Sequence, residues 1–285
     1  MTECAGVISI EPFRAARVPG SCGLRLPYTE VVAVVERPGE PLRRCGPGET
    51  GILRVRGPNV GPGYTDPRRN AGTFDAGWLS TGDIGSVDGE GRVFVTGRAK
   101  DLIIRSGHNI EPGLIEDALM RHPDVQFAAA VGAPDAYAGE VPVAYVVLGP
   151  GAELDVRALS QFLAQHVHEP PAMPKWIEAL PALPLTAVGK VYKPQLRVRA
   201  MERAIGERLC GSSLAGSVTI RGLDLASGPC LEFEPVSGGN RSLLDVDVRA
   251  FMAPYAIAWR WAQASGAGPD HAPPSPASGD PASLT

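Results

Sequence analysis

Up to Arg98 the apolar residues of this chain fall in short runs broken by turn residues, and only beyond it do they take helical spacing. Glu30-Val31-Val32-Ala33-Val34-Val35 reads as a buried strand, and Gly51-Ile52-Leu53-Arg54-Val55-Arg56 alternates apolar and polar as a half-buried one does. Gly57-Pro58-Asn59 and Gly61-Pro62-Gly63 punctuate the following loop, and Asp88-Gly89-Glu90-Gly91 joins Ser86-Val87 to Arg92-Val93-Phe94-Val95 as a hairpin. Many short strands with turn signals between them predict a β-rich, barrel-like unit over residues 1–97.

The texture then changes. Pro112 opens a helix in which Leu114, Ile115, Ala118 and Leu119 share a face. Residues 127–131 and 141–148 read as strands, and 156–167 as a second helix with Leu159, Phe162, Leu163 and Val167 inward. Residues 175–178 supply a third strand, so 98–197 is expected to be a small α+β unit, a three-stranded sheet with helices. Over 198–262 the signals weaken into an appended α/β unit. A helix is expected around Met201, Ala204, Ile205 and Leu209, strands at 217–220 and 231–233, and a helix over 244–261 interrupted at Pro254. Residues 263–285 are mostly Pro, Ala, Ser and Gly and predict a disordered tail. The fold class is therefore α+β.

Composition narrows the function. Over 285 residues, a hydrophobic content of 44% with 20% charged residues is that of an ordinary globular chain. A net charge of −4 without a clustered Lys/Arg stripe gives no footprint for nucleic acid. No apolar run reaches the length of a membrane span, and no basic region followed by an apolar core marks a signal peptide. Cys4, Cys22, Cys45, Cys210 and Cys230 make no C-x-x-C pair, so free thiols in a reducing cytoplasm are expected in place of zinc or disulfides.

Three islands carry chemistry: Ser80-Thr81-Gly82-Asp83, then Gly97-Arg98-Ala99-Lys100-Asp101 with Ser106-Gly107-His108-Asn109-Ile110, then Pro184-Leu185-Thr186-Ala187-Val188-Gly189-Lys190. Alone, a Thr-Gly-Asp or a Gly-Lys is ordinarily a solvated loop. In this order and spacing they resemble the C-terminal part of the AMP-forming acyl-CoA synthetases, the adenylate-forming ligases. The resemblance covers residues 1–197. It implies a reaction of a carboxylate with ATP to an acyl adenylate, then with CoA to an acyl-CoA.

The resemblance also implies roles. Asp83 would accept hydrogen bonds from the ribose diol, with Arg98 approaching the same ribose. Lys100 would be the hinge about which the small C-terminal domain turns between the two half-reactions. Ser106, Gly107 and His108 would line the channel for CoA, His108 as a polar wall residue in preference to a base. Lys190 would be catalytic, neutralising the charge that develops between the carboxylate and the α-phosphate. Val188 stands where the family usually has Ser or Thr. At the other end, Thr2 would contact the α-phosphate, and Glu3 would coordinate magnesium, a hard cation that takes oxygen ligands.

The family's glycine-rich phosphate loop and acyl pocket have no counterpart in these residues, so the sequence reads as truncated ahead of Met1 and inactive alone. Two alternatives stay open: a non-catalytic module that binds CoA or a partner, and one half of a split ligase completed by a separate N-terminal half.

Overall fold

The computed structural model describes residues 1–36, 39–236 and 240–263. The first sheet is built from β1 (Ser9–Ile10), β2 (Ser21–Arg25), β3 (Glu30–Val35), β4 (Arg43–Arg44), β5 (Gly51–Arg56), β6 (Phe74–Asp75), β7 (Trp78–Val87) and β8 (Arg92–Arg98). The path β1-β2-β8-β7-β5-β3-β4 is open at both ends, with β6 paired to β7. Every pairing is antiparallel, and the hairpin partners among them are joined by short connections. Val31, Ala33, Leu53, Val55, Leu79 and Val93 close over Cys4 as its core. The hairpin at Asp88 is where the sequence places it, the Asp88 carboxylate accepting from the amides of Glu90 and Arg92.

The second sheet contains the expected strands as β11 (Val125–Asp135), β12 (Gly139–Leu148) and β13 (Ile177–Ala179), the last parallel to β12. It also carries a hairpin, β9 (Ile103–Arg105) and β10 (His108–Ile110), whose residues 106–110 read from sequence as a loop. Ser106 and Gly107 both have positive φ, 50° and 83°, the condition for a two-residue turn between right-twisted strands. Ile103 and Ile110 face each other across it and are buried. Helices α1 (Pro112–Leu119) and α2 (Val156–His166) cover one face of the sheet, burying Ile115, Leu119, Leu159 and Leu163.

Helix α3 (Lys193–Cys210) covers the opposite face with Leu196 and Ala200 against Val131, Val143 and Tyr145. It does not stop there. Met201, Ile205 and Leu209, further along the same helix, enter a separate core with Leu231, Phe233, Val248, Met252 and Trp261. That core belongs to β14 (Val218–Leu225), β15 (Gly228–Pro235), α4 (Arg241–Met252) and β16 (Ala258–Trp261). The expected helix over 244–261 thus ends before Pro254, and the chain returns as a strand parallel to β15. The cause is visible in the spacing: Ile257, Trp259 and Trp261 alternate inward at period two. Across the other face of this small sheet, Arg221, Glu232 and Arg260 lie in one register row, the carboxylate held between two guanidiniums.

Among the described residues no helix is long and apolar enough to cross a membrane. The tail expected at 263–285 lies, apart from Gln263, outside the described residues.

Because Ile205 is fully buried in the third core, Ile205→Ala should cost about 2–5 kcal/mol there. Urea unfolding of a Trp78→Phe, Trp176→Phe background, followed by the fluorescence of Trp259 and Trp261, measures it. A loss under about 0.5 kcal/mol, the size of a surface substitution, contradicts the packing.

Candidate functional site

Strands β7 and β8 pair so that Asp83 stands directly opposite Arg98. The Arg98 Nε lies 2.9 Å from an Asp83 carboxylate oxygen, with 52% of the arginine side chain and 22% of the aspartate side chain exposed. An ion pair this open to water contributes about 0–1 kcal/mol of stability, so the pair does little for the fold. What it fixes is direction: the carboxylate keeps one edge available beside a cation. Behind it, the buried Thr81 hydroxyl donates to the Leu53 carbonyl and accepts from the Asp83 amide, so the backbone carrying the acid cannot drift.

Glu3 shares this end of the sheet. It sits in a short 3-10 turn, Thr2–Cys4, anchored by Cys4 in the core and by the Gly61 amide donating to the Glu3 carbonyl at 2.8 Å. The Tyr64 hydroxyl donates to one Glu3 carboxylate oxygen at 2.8 Å. The carboxyl is held below its ordinary range, first by its own backbone amide, then by the Tyr64 hydroxyl, with Arg98 adding a smaller attraction. Arg98 is therefore in electrostatic reach of both acids. Thr2, in the same turn, is exposed. A mainly apolar cavity of 350 Å³ opens beside Asp83, lined by Met1, Val7, Ile8, Cys22 and Val95 among others.

The remaining predicted residues stand elsewhere. Lys100 is exposed in a 3-10 turn, Ala99–Asp101, directly after β8. Ser106, Gly107 and His108 form the exposed tip of the β9–β10 hairpin. Lys190 closes a tight loop in which the Thr186 amide donates to the Lys190 carbonyl, and the Lys190 amide donates to the Thr186 hydroxyl. Gly189 enters that loop at φ 77°, a conformation side chains resist. Neither Lys190 nor the hairpin tip lines the cavity beside Asp83. The structure brings together Asp83, Arg98 and Glu3; it leaves Lys100, the hairpin tip and Lys190 on separate exposed segments.

Sequence reasoning missed Tyr64, the hydrogen-bond donor to Glu3. Nothing in the local pattern marks it, since the two residues are separated by 61 positions. Phe74 of β6 packs edge-on against its ring and Arg69 lies over it, so the hydroxyl is held in place by side chains that follow within ten residues.

The lowered carboxyl makes a titration prediction. A depressed carboxylate stabilises the fold above the ordinary value of 4.5, and that contribution is lost as pH falls through the lowered value. Tyr64→Phe removes one of its causes, so the Glu3 carboxyl should titrate at higher pH, read by carbon-13 NMR of the side chain. An unchanged Glu3 titration would show that the hydroxyl contact is absent in solution.

Residues 114–190 match the family model for the AMP-binding enzyme C-terminal domain. The chain is similar to marinolic acid–CoA ligase of Pseudoalteromonas sp., 44% identical over 209 residues, covering 73% of this chain and 32% of that protein. It is 40% identical over 179 residues to a long-chain-fatty-acid–CoA ligase of Bacillus subtilis, covering 62% of this chain and 31% of the relative. Among solved structures, ATP-bound MatB from Rhodopseudomonas palustris superposes with a TM-score of 0.63 at 33% identity, over 69% of this chain and 39% of that one. The Bacillus subtilis o-succinylbenzoate CoA synthetase, in complex with an acyl-adenylate intermediate, gives 0.61 at 35% identity over 69% and 40%. The chain thus spans about a third of the length of the curated relatives it matches. With its fold and motifs in place, it belongs to the adenylate-forming, AMP-binding ligases and corresponds to their C-terminal part.

Proposed function

We propose that this chain supplies the C-terminal part of an ATP-dependent acyl-CoA synthetase, which joins a small-molecule carboxylate to CoA with release of AMP and pyrophosphate. The observation that carries the reading is the in-register pairing of Asp83 with Arg98, with Glu3 at the same end of the sheet. An ionised carboxylate held rigidly beside a guanidinium can accept both hydroxyls of a ribose diol while the cation faces the phosphate side. Arg98 then has two anions to satisfy, Asp83 and the nucleotide, which orients the adenosine against β7 and β8.

The residues fit a nucleotide accompanied by magnesium. That ion is usually held by one or two carboxylates plus phosphate oxygens and water. Glu3 meets this description: it favours ionisation, and Tyr64 engages only one of its oxygens. Bound there, magnesium would neutralise phosphate charge. In this reading Thr2, exposed in the same turn, contacts the α-phosphate. This reading places the protein in the cytoplasm.

In this reading Lys190 and the hairpin tip serve different half-reactions. Lys190 sits on a loop held by its own backbone and side-chain bonds, so its ammonium can be delivered as a unit when the second sheet turns. Its work is to stabilise charge that appears only during adenylation. Ser106, Gly107 and His108 stand at the end of a stiff two-residue hairpin, a narrow projection fit to border an extended CoA arm. Lys100 lies between the two sheets, where a rotation costs no buried contact of its own side chain.

Val7, Ile10, Leu24 and Val95 are exposed on and around the first sheet. Val7 and Val95 border the mainly apolar cavity beside Asp83, and open apolar surface at such a cavity suits cover by a further domain. This favours a site completed by the rest of an adenylation domain, whether in the same chain or in a separate half, over a free-standing CoA-binding module.

Two outcomes test the reading. The 285-residue chain should show no carboxylate-dependent exchange of pyrophosphate into ATP, since its sequence contains no glycine-rich phosphate loop to position the β- and γ-phosphates. Robust exchange would overturn that account. When the N-terminal region of a relative is supplied, Lys190→Ala should slow acyl-adenylate formation by about two to three decades, equivalent to about 3–4 kcal/mol. Thioester formation from pre-made adenylate should stay nearly intact. Single-turnover kinetics of each half separates the two, and equal losses would make the lysine structural.

A further inference from the structure

Helix α4 packs on the third core through Leu244, Val248, Phe251 and Met252. The opposite side of a helix that covers a core is ordinarily polar. Here it is not. Leu243, Val246, Ala250 and Ala253 are all exposed, the first two at 74% and 71%. Ala253 follows the last residue of α4 in helical conformation and so continues its surface. Spacings of three, four and three residues set the four in one narrow stripe, the pattern of a seam between two helices. A single exposed apolar residue is ordinary; four in line over three turns are not.

The flanks leave this stripe clear. Ser242 is short, and Arg249 is drawn off onto the Asp245 carboxylate and over the Trp259 ring. Asp247 stands exposed at the other rim. The helix also lies beyond residues 114–190, which match the family model, so the adenylation reading gives it no task.

The sizes along the stripe point to the occupant. Large residues stand at its start and small ones at its end. Two copies of α4 laid antiparallel, with the two-fold level with Val248, bring Leu243 opposite Ala253 of the second copy and Val246 opposite Ala250. Each large side chain then fills the space a small one leaves, and every contact occurs twice, as a two-fold interface requires. A parallel pair would set leucine on leucine and leave the alanines facing across a gap, which forfeits packing contacts. The two Asp247 carboxylates meet only at the rim, where water and salt screen them.

We propose that the outer stripe of α4 is a self-association surface, which pairs two copies of this chain antiparallel with Leu243 on Ala253 and Val246 on Ala250. Three turns of helix cover less than the about 1,200 Å² of a stable interface. The dimer is therefore weak and forms at high protein concentration. Asp83, Arg98 and Lys190 take no part in it, so it stands apart from the proposed chemistry.

The open apolar surface of the first sheet also lets copies adhere, so the test must read register. In the 285-residue chain the exposed thiols, Cys22 and Cys210, are first changed to Ser. One sample then carries Leu243→Cys, and a second, with a size tag, carries Ala253→Cys. The two are mixed at high concentration, mildly oxidised and separated on a non-reducing gel. Antiparallel pairing joins 243 to 253, while like positions lie about 15 Å apart along the axis, too far for a disulfide. The mixed product should exceed either same-position product at least about tenfold, because pairing raises the local thiol concentration only there. Val246→Arg in both samples puts a charge in the seam, leaves the third core untouched, and should lower the mixed product by about as much. Val246→Ser should act in the same direction. Same-position products in the majority would mean a parallel pair and overturn the proposal. So would a mixed product no more abundant than random collision gives, which hands the stripe to residues 264–285 or to a different protein. Mixed product that is undiminished in Val246→Arg also overturns it.

Discussion

Helix α3 must bury two faces at once, and the arrangement of the C-terminal half follows from that constraint. Its first turns press Leu196 and Ala200 against the five-stranded sheet seen among the described residues. Its later turns press Met201, Ile205 and Leu209 into the core under the three-stranded one. A helix that ended after Arg197 would leave the second of these cores without a wall. The continuous helix joins the two sheets through packing on both, and the guanidinium of Arg197 reaches from it to the Lys100 carbonyl beyond β8. In the proposed reading, residues 99–101 are the short segment that joins the first sheet to this body.

The chemistry is placed by a different kind of force. Asp83 and Arg98 are too solvated for their attraction to stabilise the chain appreciably. Their register is set instead by the β7–β8 ladder and by Thr81 beneath them. That division is economical in physical terms: apolar burial fixes positions, and half-exposed charges remain free to exchange water for a ligand. Glu3 follows the same rule, its turn pinned by Cys4 and its carboxylate steered by Tyr64.

Much of this was legible in the sequence where local pattern and global packing agree. The strands at 30–35 and 51–56, the hairpin at Asp88 and the helix opened by Pro112 all announce themselves by periodicity and turn chemistry. The β9–β10 hairpin did not, because three-residue strands are too short for a period to show, and the Ser106 turn uses a residue that seldom takes positive φ. Residues 244–261 carried apolar residues densely enough for a helix, yet Trp259 and Trp261 follow a period of two once Pro254 has broken it. Of the residues that the motifs single out, Asp83, Arg98 and Glu3 lie together at one end of the first sheet. The supporting residues Tyr64 and Arg197 were invisible, since what they do is set by partners 61 and 97 positions away.

The central claim is that the Asp83–Arg98 pair receives the ribose of an adenine nucleotide. Amide chemical shifts of the 285-residue chain, titrated with AMP and with its 2′,3′-dideoxy analogue, test it most directly. Shifts at Gly82, Asp83 and Arg98 with AMP, largely lost when the diol is removed, are the predicted result. Equal shifts with both nucleotides, or shifts confined to other residues, would contradict it.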